Sequence, residues 1–261
     1  MTALGSSPAK PIVNLGAMRL ADGDIDGAEV AFREAIEVDP ENATAHGNLG
    51  YVLALTERHE EALEESERAI ALDPQPSGPW AHRGMSQVAL GQVNDGLSSL
   101  SRAVRLDPEN YHAWNAMGRI YLALGRAQDA ELAWASGVAA RPDEVDLLVS
   151  LAVSLGAQDR LGEAISVLHR ATTAEPASAR AWAQLGVVSM ANHDYGTASE
   201  ALLNALELDS GNAEARFHLA MLRIVVGAHD EAITILTELA AEDSAFSDEA
   251  RDLVDRLVDD E

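Results

Sequence analysis

Residues Tyr111–Glu144 read YHAWNAMGRIYLALGRAQDAELAWASGVAARPDE, and their spacing decides the fold. Trp114, Met117 and Tyr121 stand three and four apart, which places them on one face of a first helix. Ala130, Trp134 and Gly137 do the same on a second. Between them lies Leu124-Gly125, where glycine can take the left-handed conformation that ends a helix, and Pro142 stops the second helix from running on. Gly118 faces Ala130 in this reading. Two residues with almost no side chain let the backbones approach closely, and the large rings pack above and below that contact.

Moving the window by 34 residues in either direction recovers the pattern without an insertion. The eighth place holds Gly16, Gly50, Gly84, Gly118, Ala152, Gly186 and Ala220. The twentieth holds Ala28, Ala62, Gly96, Ala130, Ala164, Ala198 and Ala232, so both sides of the close contact stay small. The thirty-second holds Pro40, Pro74, Pro108, Pro142 and Pro176, then Ser210 and Ser244. A fixed period of this length with two helices per unit is the mark of a helical repeat array.

The pattern Trp114, Met117, Gly118, Tyr121, Ala130, Trp134, Pro142 resembles the tetratricopeptide consensus. The resemblance implies an all-α fold, a right-handed α-solenoid of seven helical hairpins over 9–42, 43–76, 77–110, 111–144, 145–178, 179–212 and 213–246. Residues 1–8 are expected to form a disordered tail, and 247–261 a capping helix. The apolar face of that helix is Ala250, Leu253, Val254, Leu257 and Val258; Asp248, Asp252, Asp255 and Asp259 give it a polar outer face to close the end of the array.

Composition limits what the chain does. With 261 residues, 47% of them hydrophobic and only 4% aromatic, it can bury a continuous core of closely stacked helices. There is no cysteine, hence no disulfide or thiolate metal site. No basic segment followed by an apolar run opens the chain and no apolar stretch is long enough to span a bilayer, so a cytoplasmic location without membrane insertion is expected. The formal net charge of -25 repels phosphate backbones and excludes nucleic acid as the expected partner. The same charge would attract a basic partner, although a solvated outer face is the simpler account of it.

Individual units depart from the pattern. Asn42 is placed to cap the helix that follows it. Glu57, Glu60, Glu61, Glu64, Glu65 and Glu67 read as a wet outer surface. The third unit has Arg83 where an apolar residue is usual and Gly96 inside a helix, which predicts a weaker unit because interior glycine costs ~1 kcal/mol relative to alanine. Arg216 and Arg223 occupy two normally buried places in the seventh.

The resemblance assigns partner binding to the concave surface, at first-helix places two, five, six, nine and twelve. The candidates are Asn14, Asn48, Tyr51, His82, Met85, His112, Asn115 and Arg119, then Val149, Val153, Val187, Met190, Phe217 and Met221. The first set offers amides, imidazoles and one guanidinium: amides such as Asn14 and Asn48 donate and accept at once and suit an extended peptide backbone. The second set is apolar and suits an amphipathic helix, with methionine adapting to irregular partners. Of the residues with which related repeats grip the C-terminal carboxylate of chaperones, only Asn48 is present among Val13, Ala17, Asn48, Gly78 and His82.

No phosphate loop, nucleophile elbow or metal-spaced His/Glu pair occurs, so no catalytic residue, cofactor or metal is expected. His82 and His112 form the best-placed histidine pair, and isolated polar contacts are the commoner role of such residues. The expected function is a non-catalytic protein–protein interaction module that binds a peptide or helix of a partner, one with a basic or amphipathic segment. The alternative is a self-assembling scaffold that forms homo-oligomers through its ends.

Overall fold

The computed structural model describes residues 8–259, and residues 1–7 of the expected tail lie outside them. Fifteen helices and no strand are found among the described residues: α1 (Lys10–Ala21), α2 (Ile25–Val38), α3 (Ala43–Leu55), α4 (His59–Leu72), α5 (Ser77–Ala89), α6 (Val93–Leu106), α7 (Tyr111–Ala123), α8 (Ala127–Ala140), α9 (Val145–Ala157), α10 (Leu161–Ala174), α11 (Ala179–Ala191), α12 (Tyr195–Leu208), α13 (Ala213–Val225), α14 (His229–Ala240) and α15 (Ser247–Asp259). Odd- and even-numbered helices pair as hairpins that follow the 34-residue comb. The chain divides into two compact units, up to Ala140 and from Arg141 onward.

Each hairpin begins and turns for local reasons. The Asn42 side chain accepts from the Ala45 amide at 3.0 Å, Asn110 from Ala113 at 3.1 Å and Asn212 from Ala215 at 2.9 Å, which satisfies one orphan donor at each helix start. The residue between the two helices is left-handed in all seven hairpins: Gly23, Glu57, Gly91, Gly125, Asp159, His193 and Gly227.

Inside a hairpin, the eighth place meets the twenty-fourth. A methyl group at Gly16 would come within 2.5 Å of the Phe32 ring, and one at Gly118 would overlap the Trp134 indole. The twentieth place contributes its backbone: a methyl at Gly50 would lie 3.2 Å from the Ala62 carbonyl oxygen, and one at Gly84 would lie 2.8 Å from that of Gly96. Small residues therefore set the interaxial distance, while Phe32, Leu100, Trp134, Leu168, Leu202 and Leu236 fill the space beside the contact.

Successive hairpins are also latched by hydrogen bonds. The indole nitrogens of Trp80, Trp114 and Trp182, all at the fourth place, donate to the carbonyls of Pro74, Pro108 and Pro176 at 3.0, 2.8 and 2.9 Å. His46 stands at the same place in the second hairpin. Its Nε2 lies 3.1 Å from the Pro40 carbonyl, and its Nδ1 lies 2.6 Å from the Glu65 carboxylate.

The irregular arginines find partners. Arg83 pairs with Glu67 at 3.2 Å and its guanidinium lies 5.7 Å from the Trp80 ring centroid. Arg216 is held by Glu238 and Glu242, and Arg223 pairs with Glu231 at 2.8 Å. Both thus keep their stems against the core and their charge at its edge. In the second unit α15 packs on α14, with Ala250 fully buried and Phe246 stacked on Phe217 at 5.0 Å between centroids. Asp248 and Asp252 are exposed on its outer side, as a cap requires.

Candidate functional site

The first helices of the hairpins carry the candidate binding residues, and packing sorts them by place. The fifth place belongs to the core. Val13, Ala81, Val149, Ala183 and Phe217 are all less than a tenth exposed, because that face of each first helix lies against a neighbouring hairpin. Val149 and Phe217, expected on the open surface, are therefore corrected to structural residues; Phe217 is taken up by its stack on Phe246. Asn115, also at the fifth place, is half-buried and accepts from the Trp134 indole nitrogen at 3.0 Å.

The sixth, ninth and twelfth places remain accessible. Asn14 and Arg119 are exposed, Val153 is 40% exposed, and Asn48, Tyr51, His82, Met85, Val187, Met190 and Met221 are half-buried. His112, at the second place, is exposed and packs its ring against Tyr111 at 3.9 Å. The structure brings Tyr51 and His82 together as a stacked pair, 4.9 Å between centroids and 25° between planes.

In the first unit these residues border a groove that is apolar rather than polar. A cavity of about 560 Å³ is lined by His59, Met85, Val88, Ala89, Val93, Ala116, Arg119, Ile120, Ala123 and Leu124. A smaller hollow of about 140 Å³ shares His59 and Met85 with it and adds Tyr51, Ala54, Leu55 and Ser86. A third, of about 230 Å³, is lined by Asn48, Gly47, Pro79 and His82 among others. The expectation of a polar first half is thus corrected, because an apolar groove lies in the first unit. The candidate residues included Met85 and Arg119 from this lining but not Val88, Ala89, Ile120, Ala123 and Leu124, which stand at the ends of α5 and α7. Val88, Ala89, Ala123 and Leu124 were visible as an apolar run before each glycine turn.

His82 is the one strongly perturbed group in this region. Burial pushes its imidazole down to about 4, and the nearby His112 charge acts in the same direction, while a hydrogen bond to the Gly47 carbonyl opposes both. Its Nδ1 is buried without a hydrogen-bond partner. The ring is therefore neutral at pH 7 when folded but titrates near 6.5 when unfolded, so the unfolded chain binds the extra proton first. Stability from this group is complete above pH 6.5 and is lost as pH falls toward 4. Urea unfolding at pH 7 and at pH 5.5 should show wild type losing roughly 1 kcal/mol more than His82→Gln; equal losses would remove the effect.

Among the described residues no group of three or more His, Cys, Asp or Glu side chains is arranged to hold a metal ion, and no helix is long and apolar enough to cross a membrane.

Hairpins of this construction, stacked in chain order within each compact unit over a core of small residues, define the α-solenoid class. A family model described as the C-terminal domain of cilia and flagella-associated protein 70 matches residues 1–221, and one described as the tetratricopeptide repeat matches residues 189–257. The chain belongs to the tetratricopeptide-repeat family. Solved structures agree on the fold. The structure of pilF from Pseudomonas aeruginosa is 20% identical with a TM-score of 0.67, over 80% of this chain and 95% of that one. Yeast Tom70 is 19% identical with a TM-score of 0.64, and the match spans 97% of this chain but only 54% of Tom70. YrrB, described as a TPR protein with an unusual peptide-binding site, is 22% identical with a TM-score of 0.52, over 71% of this chain and 95% of its own. No curated protein matches the chain in sequence.

Proposed function

We propose that the protein is a non-catalytic interaction module and that its first unit binds an amphipathic segment of a partner protein along the groove from Tyr51 to Leu124. The observation that carries this reading is the contiguous apolar lining, open to solvent, with Arg119 as its one charged side chain. Apolar side chains spaced three and four apart on a partner helix would fill it. Met85, which lines both hollows, can repack around an irregular guest. In the second unit Val153, Val187, Met190 and Met221 stand at matching places on their helices and are proposed as further contacts. The peptide-binding site named for YrrB, a similar fold, is in keeping with this use.

The absence of cysteine makes the test direct. Ala89→Cys, carrying a benzophenone maleimide, should crosslink a partner from the source lysate, whereas Val30→Cys on the exposed side of α2 should not. Adding Met85→Glu and Leu124→Glu to the first variant should reduce the yield by about tenfold or more. Equal crosslinking from both sites, or none from Ala89→Cys, would count against groove binding.

A further inference from the structure

A second cleft lies on the opposite side of α5. Trp80, Arg83 and Gln87, spaced three and four apart, form a stripe facing away from the groove residues Met85 and Val88. Together with Asp95, Ser98, Ser99, Arg102 and Arg105 from α6 they line a cleft of about 390 Å³.

Its lining is rich in donors and short of acceptors. Gln87 is only 4% exposed. Its side-chain oxygen is already used, accepting from the Ser99 hydroxyl at 2.7 Å, while its amide nitrogen has no hydrogen-bond partner among the described residues. Arg83 and Arg102 are placed by the Trp80 ring, at 5.7 and 6.0 Å from its centroid. In a chain where 43 acidic residues face 18 basic ones, Arg102 and Arg105 are among five arginines, with Arg68, Arg119 and Arg170, that make no ion pair among the described residues, and they are the two of the five that line this cleft. Arg83 is neutralised by Glu67, and Asp95 is the one carboxylate in the lining.

We infer that the cleft between α5 and α6 is an oxyanion site for a phosphoryl group, held by Arg102, Arg105 and the free amide of Gln87. Two guanidinium groups, a buried amide and the Ser98 hydroxyl offer more donors than a carboxylate's two oxygens use, and suit the three oxygens of a phosphomonoester. The net charge of -25 sets the size of the ligand. It repels an extended polyanion, but beyond ~8 Å its effect on a single dianion is screened at physiological salt. Free phosphate and the phosphorylated side chain of a partner share this chemistry.

The test titrates the full-length chain with inorganic phosphate at constant ionic strength, and separately with a phosphoserine peptide and its unphosphorylated form, following the thermal midpoint. The inference requires a saturable rise that chloride does not reproduce. Gln87→Glu, which keeps the acceptor for Ser99 but removes the free donor, should weaken it by about ten- to a hundredfold. The doubly substituted Arg102→Ala/Arg105→Ala chain should lose it with its helical circular dichroism unchanged, since neither side chain is in the core. Tighter binding of the phosphopeptide would assign the ligand to a partner's side chain, and tighter binding of inorganic phosphate to the free ion. No saturable response to either, or the same response in the doubly substituted chain, would overturn the site.

Discussion

Trp134→Ala should destabilise the first unit by about 3–5 kcal/mol, the range for removing a large aromatic side chain from a core that cannot collapse around the gap. Two features place it there. The indole is 3% exposed and occupies the hollow that Gly118 leaves on the facing helix, so no neighbouring side chain is positioned to fill the space. Its ring nitrogen also donates to Asn115 at 3.0 Å, a bond that alanine cannot replace. Trp134→Phe keeps most of the packing and loses the bond, and should cost roughly a third as much. Guanidinium unfolding followed by circular dichroism measures both; a midpoint for Trp134→Ala within error of wild type would show that the hairpin does not depend on this contact.

Gly96→Ala should also destabilise, by about 2 kcal/mol, although helix propensity alone predicts a gain of about 1 kcal/mol. The sign is set by what the new methyl would meet. It would overlap a methyl of Val88 and sit 2.7 Å from the Gly84 carbonyl oxygen, and a methyl at Gly84 would meet the Gly96 carbonyl at 2.8 Å in return. A side chain can rotate away from such a contact, but a carbonyl inside a helix moves only with its helix. Gly162, with nothing within 4 Å of an added methyl, is the control, and Gly162→Ala should stabilise by up to about 1 kcal/mol. If Gly96→Ala stabilised as Gly162→Ala does, the close approach of α5 and α6 would not be rigid. The glycine that reads in sequence as a weakness is the residue that allows this hairpin to close.

That case shows what sequence could and could not carry. Periodicity located the hairpins because both helices of each unit repeat the same small and large residues at one interval; α7 and α8 fall where Trp114, Tyr121, Ala130 and Trp134 require. The Asn42 cap was legible for the same reason, since its partner is three residues away. Contacts between hairpins were not. The bond from Trp80 to Pro74 joins two units across a turn, and His46 gave no sign that it does a tryptophan's work at the same place. The candidate site was legible as far as the helix that bears it. Which side of that helix stays open depends on its neighbours, and this is why Val149 and Phe217 moved into the core while Val88 and Leu124 came to line the groove.

The left-handed residue in every hairpin turn has one more implication. At Glu57, Asp159 and His193 that backbone geometry is imposed on a residue with a side chain, at φ 60° in each case, and costs of order 1 kcal/mol where glycine would pay little. Glycine at these three corners would therefore raise the thermal midpoint. Each of the three instead carries an exposed carboxylate or imidazole into the solvent at its turn.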